Sequence, residues 1–274
     1  MAVLDAEELE GLEHNVGAAP VGRLAGRVAL ISGGAGGVGE AASRLFAAVG
    51  ASVVIVDRQA EAGEALATEL RAGGAQAVFA CADVSLACEV EAAVQSGLDA
   101  FGFIDVLFNH AGTIIIKPFL DTTEADWDTL MAVNVKSMFL MTKAVLPSML
   151  ARGKGSVVCT SSISAVAATP MEVLYGATKG AVHQFVRGIA TEYRDRGIRC
   201  NAVCPGFIRT PHGLREVAEL QALGVDTSEA AIAAQQGRMC EPEEVARAAL
   251  FLASDEASFV NGTHLFVDNA FTAI

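Results

Sequence analysis

Tyr175 and Lys179 are the pair of side chains in this sequence that is best suited to proton transfer. They are four residues apart at the start of a stretch with helical periodicity, so both side chains lie on one face of the predicted helix. A phenol with a reference pKa near 10 is a poor base at neutral pH, and a neighbouring ammonium stabilises its phenolate form. The pair therefore predicts an acid/base centre with a lowered tyrosine pKa. A packed tyrosine beside a solvated lysine is the alternative, and it is the more common one for an isolated pair.

A glycine-rich turn precedes the first helical stretch and could bind the phosphates of a nucleotide. Residues 32–39 read Ser-Gly-Gly-Ala-Gly-Gly-Val-Gly and directly follow an apolar run. Glycines let the backbone approach a pyrophosphate, and the N-terminus of the following helix supplies N–H donors and a favourable dipole. Two spacings fit such a loop: Gly34, Gly36 and Gly39, or Gly33, Gly37 and Gly39 with Ser32 in front. A tight turn that needs positive φ angles is the alternative.

An acidic residue in the next strand bears on the choice of nucleotide. Asp57 ends the predicted strand 52–57, 18 residues after Gly39. A carboxylate there can accept hydrogen bonds from the 2′-hydroxyl of an adenosine ribose and repels a 2′-phosphate, which favours NAD over NADP. Arg58 and Arg44 leave NADP open, because either guanidinium could meet a phosphate. A strand-end Asp that caps a turn is the alternative without a nucleotide.

Short apolar runs alternate with longer amphipathic stretches from residue 27 onward, which is typical of a parallel sheet covered by helices. The predicted strands are 28–32, 52–57, 76–83, 103–112, 155–162, 198–206 and 263–269. The predicted helices are 38–49, 60–72, 86–101, 125–151, 176–196 and 242–253. We expect a single domain over 23–274, preceded by an acidic N-terminal tail at 1–22. Residues 207–238 follow a strand end, carry three glycines and have patchy helical periodicity, which predicts a lid segment over the substrate.

Composition restricts the classes of partner. The 274 residues include 19 Lys and Arg against 32 Asp and Glu, a net charge of −13, which disfavours binding to nucleic acid or to an anionic membrane. The N-terminus is acidic where a secretory signal is basic, and the uncharged stretch 155–171 falls short of the ~20 apolar residues of a membrane span. The six cysteines lack a spacing suited to zinc, so we expect free thiols, no metal site and a cytoplasmic location.

The glycine turn, Asp57 and the Tyr/Lys pair occur in one order with further short motifs. These motifs are Asn109-His110-Ala111-Gly112, Asn134, Ser161-Ser162, Tyr175-Gly-Ala-Thr-Lys179 and Cys204-Pro205-Gly206. Their order and spacing resemble the short-chain dehydrogenase/reductase family over about residues 23–270. The resemblance implies a Rossmann-type, doubly wound α/β fold with a seven-stranded parallel sheet and helices on both faces. It also implies an alcohol dehydrogenase or ketoreductase, which moves hydride between a nicotinamide and an alcohol or carbonyl carbon.

The resemblance assigns a role to each of four catalytic candidates. It implies that Tyr175 exchanges the proton with the substrate oxygen, and that Lys179 holds the nicotinamide ribose and lowers the pKa of Tyr175. Ser162, 13 residues before the tyrosine, would hydrogen-bond the substrate oxygen, and Asn134 would hold a water that links Lys179 to solvent. The implied cofactor contacts are Ser32, Gly33, Gly37, Val38, Gly39, Asp57, Arg58, Asp83, Val84, Asn109, Ala111, Gly112, Tyr175, Lys179, Pro205, Gly206, Ile208 and Thr210.

Two positions depart from the family pattern. His110 stands where family members often have Asn or Ala, and we interpret it as a packed histidine in the strand-end turn without a direct part in catalysis. Asp268-Asn269-Ala270 stands where Asp-Gly-Gly is common. Asn tolerates a positive φ, so the turn could keep its shape, whereas an alanine is unfavourable in that conformation.

The substrate walls are expected from residues 164–174 and from the lid segment. Candidate substrate contacts are Ser164, Met171, Phe207 and His212. The walls are largely apolar, with Glu172, His212 and Arg215 as the few polar groups, which predicts a hydrophobic or cyclic secondary alcohol.

Several functions fit these observations. We expect an NAD-dependent dehydrogenase of a small-molecule alcohol or ketone, assembled as the homotetramer that the family resemblance implies. An NADPH-dependent carbonyl or 3-oxoacyl reductase is the nearest alternative. A non-catalytic regulator that senses NAD is an alternative from another class, since a fold by itself does not determine function.

Overall fold

All seven predicted strands are present, and they form one parallel sheet. In the computed structural model, which describes residues 22–273, the strands are β1 (Val28–Ser32), β2 (Ser52–Asp57), β3 (Ala77–Cys81), β4 (Val106–Asn109), β5 (Gly155–Thr160), β6 (Ile198–Pro205) and β7 (His264–Val267). Their order in the sheet is β3-β2-β1-β4-β5-β6-β7, and each neighbouring pair is parallel. The predicted seven-stranded parallel sheet is confirmed. The predicted acidic tail lies outside the described residues except for Gly22.

Helices cover both faces of this sheet. Those in the described part of the chain are α1 (Gly37–Ala48), α2 (Ala60–Ala72), α3 (Ala87–Phe101), α4 (Glu124–Met131), α5 (Ser137–Arg152), α6 (Val173–Tyr193), α7 (Pro211–Ala222), α8 (Glu229–Gln236) and α9 (Pro242–Ala253). A five-residue π-helical turn, Ala132–Lys136, joins α4 to α5. Helices α1, α2 and α9 pack against one face, and α3, α5 and α6 pack against the other. The predicted doubly wound α/β fold is therefore confirmed.

Strand β1 shows why the strands read as continuous apolar runs. Ala29 and Ile31 belong to the core on the α1 side of the sheet, and Val28 and Leu30 belong to the core on the opposite side. This division follows from the alternation of side chains along a strand. Because both faces are buried, polar side chains are favoured at the strand ends. Four strands end in such a residue at their carboxyl edge: Ser32, Asp57, Asn109 and Thr160.

The connections reverse direction at β1, which lies between β2 and β4. The chain runs from β1 outward to β3 on one side and then returns to β4 on the other, so the crossover helices diverge and leave a crevice at the carboxyl ends of β1 and β4. The Ser32 hydroxyl joins these two ends. It accepts hydrogen bonds from the backbone N–H groups of His110 (3.1 Å) and Ala111 (3.2 Å). The glycine turn directly follows β1 and therefore lies at this crevice.

The lid segment, 207–238, contains two helices, α7 and α8, although its sequence pattern is patchy. Thr210 begins α7 by accepting the N–H of Gly213 on its hydroxyl (3.0 Å). Gln236 at the end of α8 is buried, and its side chain accepts the N–H of Phe207 (3.0 Å) and donates to the Phe207 carbonyl (2.9 Å). The end of the lid segment is therefore fastened to its beginning.

The segment Glu124–Arg152 is long and apolar enough to cross a membrane by length and composition alone. It consists of α4, the π-helical turn and α5 rather than one regular helix. The side chains of Met138, Met141, Val145 and Met149 are buried in the core beneath the sheet. A core helix has the same composition, so packing within the fold accounts for the apolar character of this segment.

The turn after β7 contains two residues in the left-handed region. Asn269 and Ala270 have φ angles of +46° and +69°. The Asp268 carboxylate supports the turn by accepting hydrogen bonds from the N–H (2.9 Å) and the hydroxyl (2.7 Å) of Thr272. The Asn269 amide donates to the carbonyl of Gln236 (2.9 Å), which joins the turn to the lid segment. Asn tolerates this conformation, whereas an alanine there costs about 1 kcal/mol.

We expect Ala270→Gly to stabilise the protein, because glycine adopts a φ near +69° without the steric penalty of a Cβ. The free energy of unfolding, measured by urea denaturation of the full chain, should rise by about 0.5–1 kcal/mol. Ala72→Gly at the exposed end of α2 is the matched control and should lower stability by a similar amount, since its backbone is helical. No gain in stability for Ala270→Gly would show that this turn is not strained.

Candidate active site

The glycine turn forms a cradle whose close backbone contacts exclude larger residues. Gly33 and Gly37 have φ angles of +66° and +53°. A Cβ on Gly33 would lie 2.9 Å from Cα of Ala111, and a Cβ on Gly39 would lie 1.9 Å from the carbonyl oxygen of Gly33. Helix α1 begins at Gly37, and its N-cap residue is Gly36, which has no side chain to bond the first N–H groups. This helix N-terminus beside a glycine-lined backbone fits the pyrophosphate of a dinucleotide.

Asp57 lies beside this cradle, as predicted for a ribose-binding carboxylate. One carboxylate oxygen accepts a hydrogen bond from the N–H of Ala35 in the glycine turn (3.1 Å), and the other accepts one from the N–H of Gln59 (3.0 Å). The carboxylate is buried at the end of β2. It therefore also holds the glycine turn in place, and each oxygen keeps a lone pair for a further donor.

Arg44 and Arg58 are the two basic residues that the sequence places near a 2′-phosphate. The guanidinium of Arg44 donates hydrogen bonds to the carboxylates of Glu69 and Glu40, which raise the pKa of Arg44. A phosphate would have to compete with both carboxylates for this group. Arg58 is exposed beside Asp57.

The remaining predicted cofactor residues border the crevice, with Asn109 as the exception. The Asn109 amide donates to the hydroxyl of Thr142 (3.0 Å) and to the carbonyl of Met138 (3.4 Å), so its side chain points to α5 and fastens that helix to β4. Thr210 meets the glycine turn, because a Cβ on Gly37 would lie 3.2 Å from its Cγ2. The other predicted contacts lie at strand ends or in the loops and first helical turn that follow: Ser32, Val38, Asp83, Val84, Ala111, Gly112, Pro205, Gly206 and Ile208.

Tyr175 and Lys179 share one face of α6, as their spacing predicts. Nζ of Lys179 lies 5.4 Å from the centroid of the Tyr175 ring and donates a hydrogen bond to the carbonyl of Thr160 at the end of β5 (3.0 Å). Lys179 is buried, and burial lowers its pKa to about 8. A Cβ on Gly112 would lie 3.7 Å from Nζ. Tyr175 and Lys179 therefore lie at the carboxyl ends of β4 and β5, on the β4 side of the crevice.

The pKa of Tyr175 is raised, whereas the sequence predicts that Lys179 lowers it. Burial is the largest cause of the rise, and the nearby carboxyls of Glu216 and Glu172 contribute in the same direction. A hydrogen bond with Ser162 opposes the shift. The predicted lowering is wrong for this structure, because desolvation of the phenol and two acidic neighbours outweigh the hydrogen bond with Ser162.

Ser162 lies at the end of β5 and begins a short chain of polar contacts. Its hydroxyl accepts the N–H of Ser164 (3.1 Å) and donates to the hydroxyl of Ser164 (3.1 Å). The Ser164 hydroxyl in turn donates to Oε2 of Glu172 (3.4 Å). The structure therefore brings two predicted residues, the catalytic Ser162 and the substrate contact Ser164, into direct contact.

Asn134 is fully buried in the π-helical turn, a feature that often marks functional positions. Its Oδ1 accepts the N–H of Thr113 (2.8 Å), and its Nδ2 donates to the Thr113 carbonyl (2.8 Å) and to the Thr178 hydroxyl (3.1 Å). These bonds join the loop after β4 to α6 one residue before Lys179. The side chain of Asn134 therefore positions the site, and its predicted water contact stays a prediction.

Two histidines border Lys179 from different elements. Nδ1 of His110 lies 3.0 Å from the hydroxyl of Thr160, and its ring stacks on Phe108 at 5.3 Å between centroids. Burial, with Lys179 and His212 adding to the effect, lowers the pKa of His110 to about 3. Burial and nearby cations lower the pKa of His212, on α7, to about 4. Both rings are neutral at pH 7, and the packing of His110 agrees with its interpretation as a packed histidine.

Met171 and Phe207, two of the predicted substrate contacts, lie in the same apolar cluster as Tyr175. This cluster includes Val217 of α7. A cavity of about 140 Å³ lies between residues 168–170 and the lid segment. The wall that Met171 and Phe207 form near Tyr175 is therefore apolar. Within residues 22–273, no group of three His, Cys, Asp or Glu side chains is arranged to hold a metal ion.

Glu172 and Glu216 add an acidic pair that the motif analysis does not reveal. Glu172 lies before the first turn of α6 and is buried, and burial raises its pKa to about 7. Burial, with the charge of Glu172 adding, raises the pKa of Glu216 on α7 to about 8. From the sequence, Glu172 is predicted only as a polar wall residue, and Glu216 is not predicted. The sequence does contain a signal that could have identified Glu216. It lies four residues after His212, a predicted substrate contact, and therefore shares its helix face.

Comparison with known proteins gives matches over nearly the whole chain. A family model described as enoyl-(acyl carrier protein) reductase matches residues 33–272. The oxidoreductase UcpA of Escherichia coli is 38% identical over 92% of this chain and 97% of its own length. Cyclopentanol dehydrogenase of Comamonas testosteroni is 38% identical over 92% of this chain and 100% of its own length. The 2,5-dichloro-2,5-cyclohexadiene-1,4-diol dehydrogenase LinX of Sphingobium indicum is 37% identical over 91% and 98%.

Solved structures share the same architecture. The crystal structure of levodione reductase superposes with a TM-score of 0.86 at 35% identity, covering 91% of this chain and 99% of its own. A gluconate 5-dehydrogenase from Burkholderia cenocepacia, in complex with NADP and tartrate, superposes with a TM-score of 0.84 at 34% identity, covering 92% and 97%. The fold is therefore shared with a dehydrogenase whose structure was solved with the nicotinamide cofactor NADP.

The raised pKa of Glu172 predicts a pH-dependent stability. A carboxyl with a pKa of about 7 when folded, against an ordinary value of 4.5, binds more protons in the folded state, so stability falls as the pH rises through this window. Glu172→Gln removes this contribution. At pH 8 the variant should be more stable than the wild type by about 1–3 kcal/mol, with a smaller difference at pH 5.

Urea unfolding at pH 5 and pH 8 measures this effect. Glu219→Gln, on the exposed face of α7, is the matched control and should follow the wild type at both values. If wild type and Glu172→Gln lose the same free energy of unfolding between pH 5 and pH 8, the raised pKa is contradicted.

Proposed function

Because this chain belongs to the short-chain dehydrogenase/reductase family of oxidoreductases, we propose that it interconverts a secondary alcohol and a ketone with NAD as the hydride carrier. The observation that carries this proposal is the convergence of Tyr175, Lys179 and Ser162 beside the nucleotide cradle. Oxidation of an alcohol removes a hydride from carbon and a proton from oxygen. A proton-transfer group next to a cradle for the hydride carrier meets both needs.

In the proposed reaction the Tyr175 hydroxyl exchanges a proton with the substrate oxygen. A nicotinamide held at the glycine turn would supply or accept the hydride. Ser162 hydrogen-bonds the substrate oxygen and holds it near the phenol. During ketone reduction Tyr175 donates its proton to the developing alkoxide, and its raised pKa keeps it protonated until then. During alcohol oxidation the ammonium form of Lys179 stabilises the phenolate.

The charges near the cradle support NAD rather than NADP. Asp57 ends β2 where a carboxylate accepts the ribose hydroxyl and repels a phosphate, and Arg44 is engaged by two carboxylates. The alternative is an NADPH-dependent carbonyl or 3-oxoacyl reductase. The exposed Arg58 and the NADP bound in the similar gluconate 5-dehydrogenase support that alternative. A regulator that only senses NAD has no need for the complete set Asn134, Ser162, Tyr175 and Lys179.

We infer a hydrophobic or cyclic secondary alcohol as the substrate. The apolar cluster around Tyr175, with Met171, Phe207 and Val217, favours a compact hydrocarbon body that excludes water from the reacting carbon. Two similar proteins are named for ring-shaped substrates, cyclopentanol dehydrogenase and LinX. Ser164 and His212 are proposed as the polar contacts at the edge of this pocket.

We propose that the chain assembles as a homotetramer and works in the cytoplasm on a small molecule. Exposed apolar side chains on and near α4 and α5 support the assembly: Phe119, Leu120, Trp127 and Phe139. All six cysteines lie in the described part of the chain and are free thiols, which suits a reducing compartment. The net charge of −13 disfavours nucleic acid and anionic membranes as partners. A light-scattering mass other than about four times 28.3 kDa would contradict the tetramer.

We expect Tyr175→Phe to lower kcat/KM by about 10²–10⁴-fold, because the reaction loses its proton-transfer group. Steady-state assays that follow NADH measure the loss, and fluorescence titration with NADH should show nearly unchanged cofactor binding. Tyr193→Phe, which alters the other tyrosine of the chain at the far end of α6, is the matched control and should keep its activity. If Tyr175→Phe retains most of its activity, the acid/base assignment is wrong.

We expect Asp57→Asn to narrow the preference for NAD over NADP by about 10-fold or more, because it removes the negative charge that repels the 2′-phosphate. An asparagine can still accept the N–H of Ala35, so the glycine turn should keep its shape. The measurement is the ratio of kcat/KM for the two cofactors. Asp99→Asn at the exposed end of α3 is the control. An unchanged ratio would remove Asp57 from the ribose site.

A further inference from the structure

Glu172 is a buried carboxylate without a compensating charge. Its residue is 3% exposed, and its Oε1 has no hydrogen-bond partner within 3.5 Å, although the Thr169 side chain is near enough to lower the pKa of the carboxyl. Asp105 is the other residue in the described chain with such a carboxylate oxygen, but guanidinium nitrogens of Arg152 and Arg27 lie 3.3 Å and 3.8 Å from it. Among residues 22–273 no Lys or Arg forms an ion pair with Glu172. Because an uncompensated buried carboxylate is destabilising, packing alone does not account for Glu172.

The position of Glu172 connects it to the reacting atoms. Oε2 of Glu172 accepts from the Ser164 hydroxyl (3.4 Å), which bonds the Ser162 hydroxyl (3.1 Å). Glu172 also lies three residues before Tyr175, and its carbonyl accepts the N–H of Gly176 in the first turn of α6 (2.8 Å). Its carboxylate is therefore two hydrogen bonds away from the hydroxyl that is proposed to hold the substrate oxygen.

Glu216, on α7 of the lid segment, is a second carboxyl that acts on the same phenol. Glu172 and Glu216 both raise the pKa of Tyr175, and the charge of Glu172 raises the pKa of Glu216. The adjacent Arg215 is turned to Glu219, with 3.5 Å between their charged groups. The phenol of Tyr175 is therefore influenced by two carboxyls, and its ring packs in an apolar cluster.

We propose that Glu172 binds a second hydroxyl group of the substrate, so that this enzyme selects diols over mono-alcohols. The inference rests on the proposed dehydrogenase function. Ser162 and Tyr175 hold the oxygen that reacts, and the free Oε1 of Glu172 accepts a hydrogen bond from the other hydroxyl. This bond supplies the partner that the buried oxygen lacks within the protein.

The chemistry of the Glu172 carboxyl decides which substituent fits. A carboxylate or phosphate on the substrate is repelled by an acidic group in a buried site. A ketone or ether oxygen has no hydrogen to donate to Oε1. A hydroxyl donates to an ionised carboxylate and accepts from a protonated one, so it fits Glu172 in either protonation state. An ammonium group fits only the ionised state, and the test below includes it as a competitor.

The experiment compares substrates that differ in one substituent. Full-length enzyme with NAD is assayed on cyclohexanol, on 1,2-, 1,3- and 1,4-cyclohexanediol and on 2-aminocyclohexanol. The wild type should favour at least one diol over cyclohexanol by about 10- to 100-fold in kcat/KM, which is the effect of a hydrogen bond to a charged group. Glu172→Leu should abolish this preference, mainly through a higher KM for the diol. Glu172→Gln, which keeps one acceptor oxygen and nearly the same shape, should reduce the preference in part, and Glu219→Gln should leave it unchanged.

Other outcomes overturn the inference in distinguishable ways. If wild type oxidises cyclohexanol and the diols equally well, and the Glu172 variants do the same, Glu172 does not select diols although the dehydrogenase function stands. Equal losses on cyclohexanol and diols in both folded Glu172 variants would show a purely structural role. A preference of the wild type for the amino alcohol over every diol would show that Glu172 binds a cationic substituent and not a hydroxyl. The absence of turnover with every alcohol would refute the proposed function itself, and the inference with it.

Discussion

The site depends on an opening at the carboxyl ends of β1 and β4. The opening exists because the sheet reverses its winding direction at β1, so the crossover helices on the two sides diverge and leave these strand ends uncovered. The opening exposes backbone N–H groups at the start of α1, where only glycines permit the close approach of Gly39 to Gly33. The Ser32 hydroxyl holds the two strand ends together across it. The nucleotide cradle is thus a consequence of topology, and the glycines make it accessible.

Desolvation governs the chemistry next to that opening. Burial shifts the pKa of four interacting groups in the direction that favours their uncharged forms: Tyr175, Lys179, Glu172 and Glu216. An acidic chain with a net charge of −13 therefore has an active site in which few full charges persist near pH 7. Such a site can bind an uncharged alcohol and respond strongly when charge develops on the substrate oxygen.

Much of the fold could be predicted because its signals are local. Both faces of β1 are buried, so Val28–Ser32 reads as an uninterrupted apolar run, and its bounds are predicted correctly. The predicted strand 103–112 is longer than β4 because the apolar residues on either side of Val106–Asn109 pack in loops. The lid segment reads as irregular because α7 and α8 are short and are held by long-range contacts such as that of Gln236 with Phe207. Helices of this kind depend on tertiary packing more than on propensity.

The sequence by itself determined the parallel α/β architecture, the glycine turn, the strand-end Asp57 and the spacing of Tyr175 and Lys179, because strand and helix periods are encoded in neighbouring residues. Only the tertiary structure decided where side chains point and what surrounds them. It turned the Asn109 amide toward α5, brought Glu216 to Glu172 and raised the pKa of Tyr175. The physical reason is that hydrogen-bond direction, burial and the sign of a pKa shift depend on groups that are distant in sequence and meet only in the folded chain.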